Sequence, residues 1–265
     1  MKVLFISLGC DKNLVDSEVM LGLLSRHGYE FTDDEEEAEA VVINTCCFIS
    51  DAKEESVNTI LDMAERRKNG QLQALLVTGC LAQRYSEEMQ VEIPEVDAVL
   101  GTTAIDAIAD ALDEVLKGQQ HNYIEDINKA PQGGRHRVVT TGGYYAYLKI
   151  AEGCDKHCTY CIIPKVRGDY RSVPMEQLLK EAKELAEGGV KELILVAQET
   201  TVYGKDIYGK KSLHVLYSSA SCMHILLILL HPSHGSGGIT FPPGRNGIRG
   251  YILSESQARH GPVLP

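Results

Sequence analysis

Three cysteines in one short stretch form the pattern that most clearly suggests chemistry. Cys154, Cys158 and Cys161 follow the spacing C-x3-C-x2-C. A structural zinc site is closed by a fourth Cys or His and usually has a second pair of ligands downstream, which is not seen after Cys161. Cysteine thiolates also hold iron–sulfur clusters, and three of them leave one iron open to another ligand. The spacing therefore favours a cluster over a zinc ion or three free thiols.

Three other cysteines are distant in sequence but occupy equivalent positions. Cys10, Cys46 and Cys80 each come just after a predicted β-strand. Ligands of open α/β sheets bind at the carboxyl ends of the strands, so we expect these thiols to meet at one edge of a sheet. They would form a second site of three thiolates. The alternative is that they are small buried apolar residues at strand ends.

The elements around these cysteines alternate between strand and helix. Short apolar runs indicate buried strands, while apolar residues at helical spacing followed by Gly or Asn indicate helices. We predict strands over residues 3–8, 40–44, 74–78 and 98–100, and helices over residues 13–27, 50–68 and 104–116. This order predicts an α/β domain over residues 1–118 with a doubly wound parallel sheet.

A second α/β domain is predicted after a linker over residues 119–143, which holds few apolar residues and includes Pro131, Gly133 and Gly134. Beyond the linker we predict a strand over residues 144–150, a helix over residues 173–187 and a strand over residues 192–197. This is the order that begins a (β/α) barrel, here a partial one over residues 144–212. The chemistry of such barrels lies on loops after the strands, where the loop with Cys154 falls.

The composition is that of a soluble globular protein, with 44% apolar and 24% charged residues in 265. Three of the 26 basic and one of the 37 acidic residues lie in 213–265, so residues 1–212 carry a net charge of −13. This charge argues against direct nucleic-acid binding and suits a basic protein partner. No signal segment is predicted, and the longest apolar run, 225–230, is far below the roughly 20 residues of a membrane span. We expect a cytoplasmic protein with reduced cysteines.

The motifs resemble those of a known family. The spacing of Cys154, Cys158 and Cys161, with Tyr160 before the last cysteine, is similar to the signature of radical S-adenosylmethionine enzymes. Two cysteine sets narrow the resemblance to the methylthiotransferases, a branch with an added N-terminal cluster domain. The residues closest to the branch that modifies a ribosomal protein are LGCDKNLVDSE (8–18), NTC (44–46), TGC (78–80) and AQETTVYGKD (197–206).

The resemblance implies two [4Fe-4S] clusters and S-adenosylmethionine as cofactors. Cys154, Cys158 and Cys161 would hold the radical-generating cluster, and the other cysteine set an auxiliary cluster that carries sulfur. Tyr160, Gln198 and Glu199 would contribute to the S-adenosylmethionine pocket, although Glu199 stands where the family more often has Asp and could instead be a surface-loop residue. The implied reaction is methylthiolation of the β-carbon of an aspartate in small-subunit ribosomal protein S-twelve. The implied electron donor is a flavodoxin or ferredoxin, and no membrane partner is expected.

Two alternatives remain open from the sequence alone. One is a methylthiotransferase of the same chemistry that acts on tRNA, which the residues after Cys10 and the acidic charge disfavour. The other is a non-catalytic iron–sulfur fragment. Residues 213–265 hold five of nine His, five of nine Pro and no Lys. We therefore expect strand–helix alternation to end at residue 212, leaving a truncated radical domain and an aberrant tail without function.

Overall fold

The computed structural model of the chain describes residues 1–221, 226–231 and 251–254. These residues separate into two units, each of which is discontinuous in sequence. The first unit contains Met1–Lys129, His136–Val138 and His157–Gly168. The second contains Ala130–Arg135, Val139–Lys156 and the described residues from Asp169 onward.

A parallel sheet of six strands organises the first unit. Its strands are β1 (Lys2–Ser7), β2 (Glu30–Thr32), β3 (Ala40–Thr45), β4 (Ala74–Gly79), β5 (Ala98–Leu100) and β6 (His121–Tyr123). Their order across the sheet is β2-β1-β3-β4-β5-β6. The strand order changes direction between β1 and β3, and this is the point at which sheets of this kind bind ligands.

Helices cover both faces of this sheet. They are α1 (Asp11–Arg26), α2 (Ser50–Lys68), α3 (Cys80–Arg84), α4 (Ser86–Glu92) and α5 (Ile108–Leu116). Side chains of a strand alternate between faces. Accordingly, Val42 packs with α1 and α5, whereas Ile43 packs with α2, α3 and α4. Two cores therefore enclose one sheet, which confirms the predicted doubly wound α/β fold.

Two later segments complete the first unit. Helix α6 (Ile163–Arg167) places Val166 in one of the cores, where it is 1% exposed. The segment His136–Val138 runs along α1, and the backbone N–H of Val138 donates to the carbonyl of Glu18 at 3.0 Å. Arg137 forms a buried ion pair with the same glutamate at 3.4 Å.

The second unit is built on another parallel sheet, of strand order β12-β11-β10-β7. Its strands are β7 (Tyr145–Lys149), β10 (Glu192–Val196), β11 (Leu226–His231) and β12 (Tyr251–Ser254), and an antiparallel pair is formed by β8 (Ala151–Glu152) and β9 (Arg171–Ser172). Its helices are α7 (Met175–Glu187), α8 (Lys205–Tyr208) and α9 (Leu213–Ser221). Leu148, Leu178 and Leu216 contribute to its core.

The structure corrects two expectations. Alternation does not end at residue 212, because α9 is followed by β11, which pairs in parallel with β10. The apolar run 225–230 is too short for a bilayer, but it has the length and leucine content of a buried parallel strand. The predicted linker also contains β6, which pairs with β5. The absence of function in residues 213–265 stays a prediction, and most of them lie outside the described residues.

In the parts of the chain that the structure describes, no helix combines the length and the apolar character needed to cross a bilayer.

Asp97 ties three elements of the first unit together. Its carboxylate is 5% exposed and accepts hydrogen bonds from the backbone N–H of Leu75 at 2.8 Å and from Arg67 Nε at 2.8 Å and Nη2 at 3.0 Å. A buried charge that loses its partner is costly, so the carboxylate should contribute measurably to stability.

We expect Asp97→Asn to lower the free energy of unfolding by about 2 kcal/mol, because the amide turns an NH2 group toward donors. Chemical denaturation followed by circular dichroism measures this loss. The control is Asp62→Asn on the exposed side of α2, which should stay within about 0.5 kcal/mol of the parent. Equal losses in both variants would contradict the assigned role of Asp97.

Candidate functional site

The cysteines of the first set all lie at the carboxyl ends of strands of the first unit. Cys10 follows β1 as the N-cap residue of α1, Cys46 follows β3, and Cys80 opens α3 after β4. Cys10 is exposed, while Cys46 and Cys80 are 6% and 8% exposed. Cys10 and Cys46 flank the point where the strand order reverses.

The three cysteines follow adjacent strands, so their backbone positions share one edge of the sheet. A Cβ atom added to Gly9 would lie 3.1 Å from Cys46 Sγ, so the backbone before Cys10 runs against the second cysteine. The pKa of the Cys80 thiol is raised to about 12, mainly by burial; Arg167 opposes the increase, and Cys10 and Cys46 add to it. Ligation would remove the proton from each thiol.

A buried network of amide hydrogen bonds fixes the backbone at this edge of the sheet. Asn13 Nδ2 donates to the carbonyls of Leu8 at 3.1 Å and Thr45 at 2.9 Å. Asn44 Nδ2 donates to the Asn13 carbonyl and to Ser17 Oγ, both at 2.9 Å. The first turn of α1 is thereby joined to the ends of β1 and β3. The positions of Cys10 and Cys46 follow from these bonds.

The donor set fits an iron–sulfur cluster better than a single ion. A tetrahedral zinc ion with bonds of about 2.3 Å holds its thiolates only about 4 Å apart. Among the described residues, no three His, Cys, Asp or Glu side chains converge to hold a metal ion. In a four-iron cluster each thiolate binds an iron of its own, so three nearby cysteines of one sheet edge suit the larger group.

The second cysteine set is divided between the units. Cys158 and Cys161 belong to the first unit, where the backbone N–H of Cys161 donates to the carbonyl of Cys158 at 2.9 Å. Cys154 belongs to the second unit and directly follows the glycine after β8. Tyr160 is 88% exposed. The short spacing along the chain keeps these cysteines on one loop.

Gln198 and Glu199 lie just beyond the carboxyl end of β10 in the second unit. Gln198 Nε2 donates to Glu152 Oε2 at 3.3 Å. Glu199 is 3% exposed and forms an ion pair with Lys156, two residues after Cys154. Burial opposes ionisation of Glu199, but hydrogen bonds from Lys156 and Thr201 outweigh it and lower the pKa of the carboxyl. Glu199 is therefore a buried carboxylate beside the cysteine motif, not an exposed loop residue.

Sequence reasoning did not assign a role to several polar residues around the first cysteine set. They are Asn13, Asp16, Asn44 and Arg167, all at most 3% exposed. The first three stand inside the motifs around Cys10 and Cys46, and buried polar residues beside strand ends are a signal that could have found them. Arg167 had no such signal, because it lies far from these motifs in sequence.

Two family models match the chain. Residues 2–101 match a family described as uncharacterized protein family UPF0004, and residues 148–233 match the radical SAM superfamily. The second match extends past residue 212, in agreement with β11. A family model therefore matches each of the two domains that the two cysteine sets predict.

The relatives found by sequence include ribosomal protein uS12 methylthiotransferases. A ribosomal protein uS12 methylthiotransferase of Lachnoclostridium phytofermentans is 68% identical over 213 residues, covering 80% of this chain and 48% of the relative. One from Clostridioides difficile is 52% identical, covering 82% and 49%. The chain belongs to the methylthiotransferase family of radical S-adenosylmethionine proteins. It spans about half the length of the curated relatives it matches.

Solved structures similar to this methylthiotransferase-family chain show its fold. The radical S-adenosylmethionine methyltransferase TsrM of Kitasatospora setae aligns with a TM-score of 0.56 and 11% identity, covering 89% of this chain and 55% of that one. OxsB, a cobalamin-dependent radical enzyme, aligns with a TM-score of 0.53 and 14% identity, covering 86% and 38%. At such low identity the similarity speaks for the α/β fold alone.

Gly79 is required where β4 turns into the helix of Cys80. Its φ is +93°, and an added Cβ would lie 2.5 Å from the carbonyl oxygen of Thr45 and 2.7 Å from its nitrogen. Gly70 has a similar φ of +76° but nothing within 4 Å of the same position. The two glycines thus share a positive φ but differ in the space available, and Gly79, with ψ −161°, lies in a region that is essentially restricted to glycine.

We expect Gly79→Ala to lower the free energy of unfolding by about 2 kcal/mol more than Gly70→Ala. Both substitutions place a side chain at positive φ, at a cost of about 1 kcal/mol or more, and only the first forces backbone atoms apart. Urea denaturation of both variants measures the difference. Similar losses of stability in the two variants would mean that the backbone around Cys80 shifts easily to accept a Cβ, which would contradict the close contacts described.

Proposed function

We propose that the chain contains the cluster-binding units of a radical S-adenosylmethionine methylthiotransferase that modifies ribosomal protein uS12. The proposed product is an aspartate methylthiolated at its β-carbon. The relatives that match along 80% or more of this chain carry the name of that activity. The observation that supports the proposal is that Cys10, Cys46 and Cys80 follow the ends of three adjacent strands, in a chain that also has the radical motif.

Cys10, Cys46 and Cys80 would hold the auxiliary [4Fe-4S] cluster. Each thiol comes from a separate strand end, and three protein ligands leave one iron position for a sulfur group. The buried amides of Asn13 and Asn44 fix the backbone on which two of the thiols stand. The role of the protein would be to hold the cluster so that its open iron position points in a fixed direction.

Cys154, Cys158 and Cys161 would hold the second [4Fe-4S] cluster, with S-adenosylmethionine at its open iron. One bound S-adenosylmethionine would supply the methyl group and another the radical that activates the aspartate carbon. Gln198 and Glu199, beyond the end of β10, are proposed to orient the cofactor together with Tyr160. The negative charge of Glu199, kept by Lys156, suits a cationic sulfonium or an ammonium group.

The proposed partners are ribosomal protein uS12 and an electron donor such as flavodoxin or ferredoxin, in the cytoplasm. The net charge of −13 over residues 1–212 favours a basic protein surface over direct binding to nucleic acid.

Anaerobic reconstitution with iron and sulfide tests the cofactor proposal. We expect about eight iron atoms per chain, from two four-iron clusters. Replacing Cys10, Cys46 and Cys80 by Ser should remove about half of the iron, and replacing Cys154, Cys158 and Cys161 should remove the other half. Cys47→Ser is the matched control, since Cys47 is buried beside Cys46 but outside both sets, and it should leave the iron unchanged. Full iron after loss of either set would contradict the assignment.

The activity is tested by incubating the reconstituted chain with S-adenosylmethionine, sulfide and reductant. Mass analysis of ribosomal protein uS12 and of tRNA follows. A methylthio group on the aspartate supports the proposal. A methylthio group on tRNA alone would replace it by the tRNA activity, and two clusters without any cleavage of S-adenosylmethionine would reduce the chain to a cluster-binding protein.

A further inference from the structure

Arg167 is a buried arginine whose guanidinium reaches the first cysteine set. The residue is 3% exposed and ends α6 in the first unit. Its Nε lies 3.3 Å from Cys80 Sγ, and its Nη1 lies 2.7 Å from Asp16 Oδ2. Its Nη2 donates to Asn13 Oδ1. Neither the cysteine motifs nor the proposed reaction assigns a role to this side chain.

Packing fixes the direction of the guanidinium. Val166, next to Arg167, is 1% exposed in the core of the first unit. Thr102 Oγ1 donates to the carbonyl of Val166 at 2.9 Å. Asp16 and Asn13 then orient two of the nitrogens from the first turns of α1. A guanidinium is a rigid planar fork, so fixing two nitrogens also fixes Nε toward the sulfur.

Charge explains why an arginine belongs at this place. A buried cation is costly unless it is paired, and Asp16 provides one negative charge. The guanidinium also directs Nε toward Cys80, whose sulfur becomes an anionic thiolate once it ligates a metal. The arrangement suits a sulfur that carries negative charge.

We propose that Arg167 is a positioning residue that donates a hydrogen bond to the Cys80 ligand sulfur of the auxiliary cluster and raises the reduction potential of that cluster. The inference rests on the proposed function, since it requires a cluster on Cys10, Cys46 and Cys80. Hydrogen bonds to ligand sulfurs and nearby charge are among the factors that set cluster potentials. Reduction adds one electron and one negative charge, which an adjacent cation stabilises.

The experiment uses the full chain with Cys154, Cys158 and Cys161 replaced by Ala, so that only the auxiliary cluster can form. In this parent, a potentiometric titration followed by electron paramagnetic resonance measures the midpoint of one-electron reduction. Arg167→Gln should make reduction at least tenfold less favourable, a shift of about 59 mV to lower potential. Arg167→Lys, which keeps the charge without the planar fork, should recover part of the shift.

Two further variants separate this role from general effects. Asp16→Asn leaves Arg167 in place but removes the carboxylate anchor, and it should also change the midpoint. Arg67→Gln is the matched control, because Arg67 binds the carboxylate of Asp97 in the same unit without a sulfur contact, and it should not change the midpoint.

The possible outcomes test either the role of Arg167 or the proposed function on which it rests. An iron-loaded Arg167→Gln variant with the midpoint of the parent would overturn the inference. If Arg167→Gln does not retain iron, the midpoints of Arg167→Lys and Asp16→Asn are used instead. The inference is also overturned if both of these variants have the midpoint of the parent. A parent that assembles no cluster on Cys10, Cys46 and Cys80 would refute the proposed function itself, and with it the basis of the inference.

Discussion

Close packing at the carboxyl ends of β1, β3 and β4 is the constraint on which the first unit depends. The two glycines before Cys10 and Cys80 have positive φ and leave no room for a Cβ. The amides of Asn13 and Asn44 join the strand ends to the first turn of α1 and satisfy polar groups that water cannot reach. Since the cysteines occupy the next backbone positions, their spacing is determined by the sheet.

The main elements of the fold could be predicted because their signals are local. The continuous apolar runs of β3 and β4 and the helical period of α1 identify buried strands and a packed helix. The short strands β2, β6, β8 and β9 carry no such run and depend on pairing with a neighbour. The strand β11 has a clear apolar run, but the His-rich and Pro-rich composition around it outweighed that signal in the sequence interpretation.

The candidate site was accessible from sequence only in part. Cysteine positions relative to strand ends follow from the order of elements, so Cys10, Cys46 and Cys80 could be grouped without coordinates. Arg167 could not be assigned to this site from sequence. Its contact with Asn13 joins residues that are 154 positions apart, and such a contact leaves no periodic pattern in the sequence. Glu199 was left open as a possible loop residue, since its burial depends on the folded course of the chain around β10.

The contribution of α6 and of residues 136–138 to the first unit affects how the protein can fold during synthesis. Arg137 and Arg167 neutralise Glu18 and Asp16, two carboxylates buried on α1. A nascent chain that has emerged only to residue 118 has the whole of α1 but neither arginine, and Val166 has not yet filled its place in the core. At about 5–20 residues per second, the fifty residues that follow take about 3–10 seconds to appear. For that interval Cys10, Cys46 and Cys80 stand on a unit that lacks two of its buried cations and part of its core.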